Sequence, residues 1–317
     1  MATRDIAASQ APGIARPRLE AASPRYGEKA VKAFLALCAG LSVAVTTAIV
    51  VSLLIPTVDF FQQVSPVEFL TGTEWAPAFA AASFGVVPLV VGTLSVVFWA
   101  LIVAIPVGLL SAIYLAEYAP RRVRKVVKPM LEVLEGIPTV AIGLFALLFL
   151  RPLAEDVLPF LSWRGPFSVG VAGFAVGLMI VPLVASISDD AMRSVPSGLR
   201  EGAYALGATK MKVSARVVFP AAISGIVASI VLATSRAIGE TMVVLIAAGA
   251  TPAINLDPTR SVQTMTAFIG QTATGDIATG TITYNTIFAV GALLFVMTLV
   301  MNMVAIRLVR RFREAYE

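Results

Sequence analysis

EGAYALGATKMKVSARVVFP, residues 201–220, is a polar and basic stretch caught between two long apolar runs, so its place is a membrane surface. The run from Ala203 to Leu206 favours helix, and Gly207 then removes a side chain and lets the backbone turn. Lys210, Lys212, Val213, Arg216 and Val217 are spaced to give a second short helix with one basic and one apolar face. Pro220 suits the first turn of whatever helix follows, where a missing N–H costs no hydrogen bond. The stretch predicts a helix–glycine–helix knob fit for a groove on a partner protein. The alternative is an amphipathic connector lying among lipid headgroups.

Composition sets the frame around that knob. The chain of 317 residues is 58% hydrophobic and 14% charged, with a mean hydropathy of +0.87. No soluble domain of this length hides so much apolar surface, so the expected class is an all-α polytopic membrane protein. There is no histidine and a single cysteine, Cys38, within an apolar run. Internal disulfides are excluded, no His/Cys metal site is expected, and hydrolysis of the Ser-His-Asp or Cys-His kind lacks its base. No catalytic residue and no nucleic-acid partner is predicted.

Six spans are expected, at 33–55 (ending at Pro56), 86–115, 133–150, 169–188, 221–248 and 284–306, each long enough for a bilayer core of about 30 Å. Pro88 and Pro106 are expected to bend the second. Gly170, Gly173 and Gly177 mark the fourth for close helix contact. Residues 1–32 read as a flexible tail. Residues 33–85 form a first span and outer loop, with Trp75 suited to an interface. Residues 86–306 form the core with its loop at 189–220, and 307–317 form a basic tail. Outer loops are expected at 151–167 and 249–283. All Lys and Arg except Arg151, Arg164, Arg236 and Arg260 fall in the two tails and the loops after spans two and four. The positive-inside rule therefore predicts both termini and the 201–220 loop in the cytoplasm of a multi-pass protein in the cell membrane.

Charges inside the spans give a second expectation. Arg236 stands roughly 24 Å along the fifth span at 1.5 Å per residue, past the bilayer middle. Glu240 follows four residues later, on the same face of a continuous helix. One reading is an ion pair neutralised between helices. The other is that Arg236 offers its forked cation to an oxyanion in transit while Glu240 orients it, with hydroxyls from Thr234, Ser235 and Thr241 nearby. Glu132 and Glu135 are expected to be solvated, or favourable near a helix N-terminus, at the start of span three, or to join an inner gate. Asp189 and Asp190 are expected to cap or solvate a span end.

The 201–220 spacing resembles the EAA loop of ABC-transporter permeases, with an acid at Glu201, Ala203, Gly207 and, nine residues on, Val217, Phe219 and Pro220. Gly202 replaces the first alanine. The runs FGVVPLVVGTL (84–94), PVGLLSAIYLAEYAP (106–120), LEGIPTVAIGL (134–144), VPSGLREGAYALGAT (195–209) and SRAIGET (235–241) resemble the phosphate-uptake permeases. FLTGTEWAP (69–77) is closer to their PstC-type subunits than to the PstA-type. This resemblance implies a type I importer permease of MetI-like architecture. It further implies a homologous PstA-type permease, two ATP-binding subunits and an extracytoplasmic phosphate-binding protein as partners. Glu201, Ala203, Gly207, Val217, Phe219 and Pro220 would then couple to the ATPase, and Arg236, Glu240, Ser235 and Thr241 would line the path. The chain lacks a Gly-x4-Gly-Lys-Ser/Thr loop, so ATP and its magnesium belong on a partner and no cofactor is expected here. A proton-coupled secondary transporter using Glu240, an importer of sulfate or molybdate, a membrane enzyme, and a signalling or scaffold subunit stand as rivals.

Overall fold

The computed structural model describes residues 26–79 and 81–313; the expected tail is therefore outside the described residues up to 25, and 26–32 is helical. The chain divides at Val51/Ser52 into two units. The first carries the opening turns of α1 (Tyr26–Phe61), mostly apolar beyond Lys32 and exposed from Tyr26 to Ile49, Cys38 included. Four helices among the described residues are long and apolar enough to cross a membrane, or six spans exist if each of two bent pairs counts as one.

Helix α1 does not stop at Pro56 but continues to Phe61. Its last turn is held because Phe60 is fully buried in an aromatic cluster. Residues 57–85 are correspondingly more ordered than a loop. They form α2 (Pro66–Thr71) and a small antiparallel hairpin, β1 (Trp75–Ala76) with β2 (Ser83–Phe84), pairing Trp75 with Phe84. Phe60 meets Phe69 and Phe84 edge-to-face, each at 5.6 Å, and Trp75 meets Phe268 at 4.9 Å. This is the arrangement that ring quadrupoles favour.

The frame of the molecule is the pairing of α3 (Val87–Ile113) with α7 (Val169–Arg193). Glycine makes the close approach possible: a Cβ on Gly173 would lie 2.5 Å from that of Trp99, and one on Gly177 would lie 2.8 Å from the Ala100 carbonyl oxygen. Pro88 sits in the first turn of α3 and only Pro106 lies inside it. A π-turn, Tyr114–Tyr118, carries α3 on to the basic segment, which is a helix, α4 (Arg121–Glu135), rather than a loop.

The third span is broken differently from the expectation. Residues 133–135 end α4, the chain turns by 89° over 136–138, and the apolar segment starts at α5 (Thr139–Phe145). It runs through the π-turn Ala146–Leu150 into α6 (Arg151–Val157), so Arg151 is helical and buried, not in a loop. Its guanidinium donates to the Gly165 carbonyl at 2.7 Å and to Glu155 at 3.0 Å, and it covers the Trp163 ring at 4.5 Å. That is how burial of the charge is tolerated.

After α7 come α8 (Ser197–Ala205), α9 (Lys210–Val213), the π-turn Ser214–Val218 and α10 (Phe219–Ala221), and a 69° bend leads into α11 (Ile223–Ile238). The expected continuous fifth span is also broken at its far end: α11 stops at Ile238, and α12 (Met242–Ala247) begins after Gly239. The segment 249–283 is packed rather than loose. It contains α13 (Met265–Thr274), and Val262, Met265 and Ala267 are fully buried. Backbone bonds from Val169 to Arg260 and Gly170 to Pro258, both 2.9 Å, tie it to the start of α7. The last helix, α14 (Ile282–Arg313), takes in most of the expected basic tail.

Candidate functional site: a coupling knob and an arginine junction

The knob forms as its residues dictate. Gly207 has φ +79°, a conformation strained for other residues, and its surroundings are open. Leu206 is 90% exposed and Met211 74%, so two large apolar side chains flank the turn in the open. Glu201 is exposed beside them. The opposite face packs down: Val213 and Val218 are fully buried with Ala112, Met192, Val195, Ala222 and Ile226, and Ala203, Val217 and Phe219 rest against that cluster. Pro220 sits in the first turn of the short α10.

Two contacts bind the knob to the frame. The Arg200 guanidinium donates to Glu117 at 3.1 and 3.4 Å, and to the carbonyl oxygens of Met192 and Val195, both at 2.7 Å. Lys210 Nζ lies 4.9 Å over the ring of Tyr118. Both Glu117 and Tyr118 belong to the π-turn that ends α3, so the knob is fastened to the end of α3 and, through the Met192 and Val195 carbonyls, to the end of α7. Sequence reading passed over Arg200, yet a signal was present. It precedes Ala203 by three residues, so if Ala203 faces the body of the protein Arg200 does too.

A second set of charges locks α4 to α7. Arg124 meets Asp189 at 2.6 Å, Lys128 meets Asp189 at 3.6 Å, and Lys128 also contacts Asp190. Asp189 is fully buried in the penultimate turn of α7. The expectation that both aspartates cap or solvate a span end is corrected for Asp189, since a helix that continues to Arg193 needs no cap there and a buried carboxylate needs a cation, whereas Asp190 is exposed.

The arginine junction differs most from expectation. Arg236 lies in the last turn of α11 and its Nη1 is 2.6 Å from Oε1 of Glu135, at the end of α4. Glu240 does not share its helix face, because α11 has already ended. The Glu240 carboxylate, buried, accepts from the Val243 N–H at 3.1 Å and so caps α12, while its carbonyl accepts from Thr266 Oγ1 at 2.7 Å. Glu135 is therefore neither free in solvent nor at a helix N-terminus. Ser235 donates to Asn302 of α14 at 2.8 Å, Thr241 to the Gly239 carbonyl at 3.2 Å, and Thr234 to that of Ile230 at 2.7 Å. The structure brings the four expected path residues, Ser235, Arg236, Glu240 and Thr241, to one break in the fifth span, where Glu240 is buried and Ser235, Arg236 and Thr241 are half-buried. Both members of the Arg236–Glu135 pair are about a third exposed, at 33% and 32%. Beyond the two breaks, α5 and α12 pack closely: a Cβ on Gly143 would sit 3.2 Å from both the Met242 carbonyl oxygen and the Cβ of Ile246.

A multi-span helical core with a glycine-turned surface knob defines a class, and sequence comparison fixes it. Residues 104–314 match the family of binding-protein-dependent transport system inner membrane components, and the chain belongs to that family as an ABC importer permease. It is 35% identical over 263 residues to the probable ABC transporter permease protein YqgH of Bacillus subtilis (strain 168), covering 82% of this chain and 84% of that one. It is 32% identical over 277 residues to phosphate transport system permease protein PstC 1 of Mycobacterium tuberculosis (strain ATCC 25618 / H37Rv), covering 77% and 81%. The same fold is seen in a bacterial alginate ABC transporter crystallised with its alginate pentasaccharide-bound periplasmic protein. There the TM-score is 0.61 at 17% identity, with 89% of this chain and 96% of that one covered.

Proposed function

We propose that this chain is the PstC-type permease subunit of an ATP-driven phosphate importer. The observation that carries the reading is the Arg236–Glu135 pair: a bidentate-capable cation at the break of one span, held by one carboxylate and still a third exposed. An incoming phosphate offers two oxygens to that fork and displaces Glu135, which moves with α4. Glu240 shapes the break by capping α12, and Ser235 and Thr241 sit beside it as hydroxyls available to the anion. Relatives named for phosphate transport support the choice of anion.

In this reading the termini and the knob are cytoplasmic, as the distribution of Lys and Arg supports. A PstA-type permease completes the path, and an extracytoplasmic binding protein delivers phosphate. Two ATP-binding subunits, which hold ATP and magnesium, receive Leu206 and Met211 in their grooves. Their approach on binding ATP moves Gly207 and its helices, and Arg200 passes that displacement to α3 and α7. The energy difference between inward and outward states then follows nucleotide occupancy.

Co-purification of the complex followed by uptake into proteoliposomes tests the proposal. Phosphate should accumulate only with ATP and the binding protein present. Uptake that ignores ATP and collapses with the proton gradient would instead make this a secondary transporter. Preferential uptake of sulfate or molybdate would overturn the choice of substrate.

A further inference from the structure

Five cations surround a cleft of about 540 Å³ between α4 and the end of α7: Arg121, Arg124, Lys125, Lys128 and Arg193, with Glu132 at its edge. Arg124 and Lys128 are engaged by Asp189 and Asp190. Arg121, Lys125 and Arg193 are exposed, and none has a carboxylate partner among the described residues. Three positive charges without an ion pair among the described residues therefore converge on one hollow, against the single carboxylate of Glu132 at its edge.

The helix that carries most of them is built in two halves. Positions 121, 124, 125, 128 and 132 recur at three- and four-residue steps, placing the charged residues on one face. Val126, Met130 and Val133 lie on the other, 60%, 58% and 72% exposed, and no residue of α4 is buried. The apolar segment that follows is turned 89° away, so α4 lies across the direction of a span. A helix set crosswise to a span, with an exposed apolar stripe beside a cationic one, has the form of a helix lying in the plane of a bilayer surface. A basic hollow at such a place meets lipid headgroups.

We propose that this cleft binds the phosphoryl headgroup of an anionic phospholipid through Arg121, Lys125 and Arg193. Arginine forks match phosphoryl oxygens two at a time. A free phosphate ion has the same headgroup chemistry, but it would leave Val126, Met130 and Val133 facing water. A lipid covers both halves of the helix at once. Neither Arg236 nor Glu135 lines this cleft.

The test uses the purified full chain in phosphatidylcholine nanodiscs doped with a photoreactive phosphatidylglycerol. Crosslinks should map to residues 119–132 and around Arg193, and unlabelled phosphatidylglycerol should compete where phosphatidylcholine does not. Arg121→Gln and Lys125→Gln should each lower labelling about fivefold, and together about 25-fold. Arg193→Gln, on a different helix, should lower it similarly and keeps the test open if an α4 variant folds poorly. Equal labelling from a phosphatidylcholine probe, or labelling unchanged in all three variants, would overturn the proposal. Displacement of the probe by millimolar inorganic phosphate would show a free-anion site instead. Loss of labelling on adding an ATP-binding subunit would show a protein interface.

Discussion

Arg200, within the short surface helix α8, and Arg236, in the last turn of the apolar α11, are each paired with a carboxylate, and the structure treats them in opposite ways. Arg200 is satisfied by four hydrogen bonds to Glu117, Met192 and Val195, and its carboxylate partner is 6% exposed. Arg236 has one carboxylate, itself a third exposed, and donors left over. A guanidinium whose donors are used up is a strut, because no ligand can compete for it. One with donors to spare in a partly open setting is a binding group. Sequence cannot make that distinction, since the carboxylate partners Glu117 and Glu135 stand 83 and 101 residues away along the chain.

The comparison breaks most visibly if Arg200 is not structural. Arg200→Gln leaves Glu117 buried without a cation and should cost on the order of 3 kcal/mol in thermal denaturation of the purified protein. Adding Glu117→Gln should restore part of that loss, the mark of a coupled pair. Arg236→Gln should do the reverse. Phosphate uptake should fall on the order of 10- to 100-fold, the worth of a charge-assisted hydrogen bond, while denaturation moves little. Arg236→Lys should rescue only weakly, because an ammonium lacks the fork.

Both arginines act from the α3–α7 frame, so loosening it should blur the contrast. Gly173→Val pushes a side chain into Trp99 and should destabilise by about 1–3 kcal/mol, lowering uptake in proportion to folded protein and no further. The smallest effect is expected at Asp257, in the segment between α12 and α13. Its carboxylate accepts from the Thr259 N–H at 3.0 Å and Oγ1 at 2.7 Å, and from Arg260 at 3.2 Å. The Thr259 N–H, foremost, together with these partners holds its pKa below the ordinary carboxylate value. A depressed folded pKa contributes stability above the ordinary value, and that contribution is lost as pH falls through the folded one. Hydrogen exchange at Thr259 should be insensitive to pH-driven opening near neutrality and rise only in acid, and Asp257→Asn should remove the acid step.

The knob was legible because its information is local. The 201–220 spacing states a glycine turn and an apolar face at Val213 and Val217, and each stands where that spacing puts it. The glycines of α7 were legible for the same reason. The arginine junction was not, because Glu135 and Arg236 are joined across a hundred residues of chain and no periodicity links them. The i,i+4 expectation for Glu240 failed on a single assumption, that α11 continues past Gly239. Apolar composition cannot reveal such a break, since apolar residues stand on either side of it. The ordered 249–283 segment escaped notice likewise, because its contacts are backbone bonds to the distant start of α7.

The central claim is that nucleotide hydrolysis on a partner reaches the path through the turn at Gly207. A side chain there meets no neighbour, so Gly207→Leu strains only the backbone and leaves the knob's anchor intact. Hydrolysis and uptake are to be measured side by side in the reconstituted variant complex. The account predicts that ATP is still hydrolysed while phosphate uptake falls away from it. Uptake and hydrolysis preserved in the wild-type ratio would contradict it.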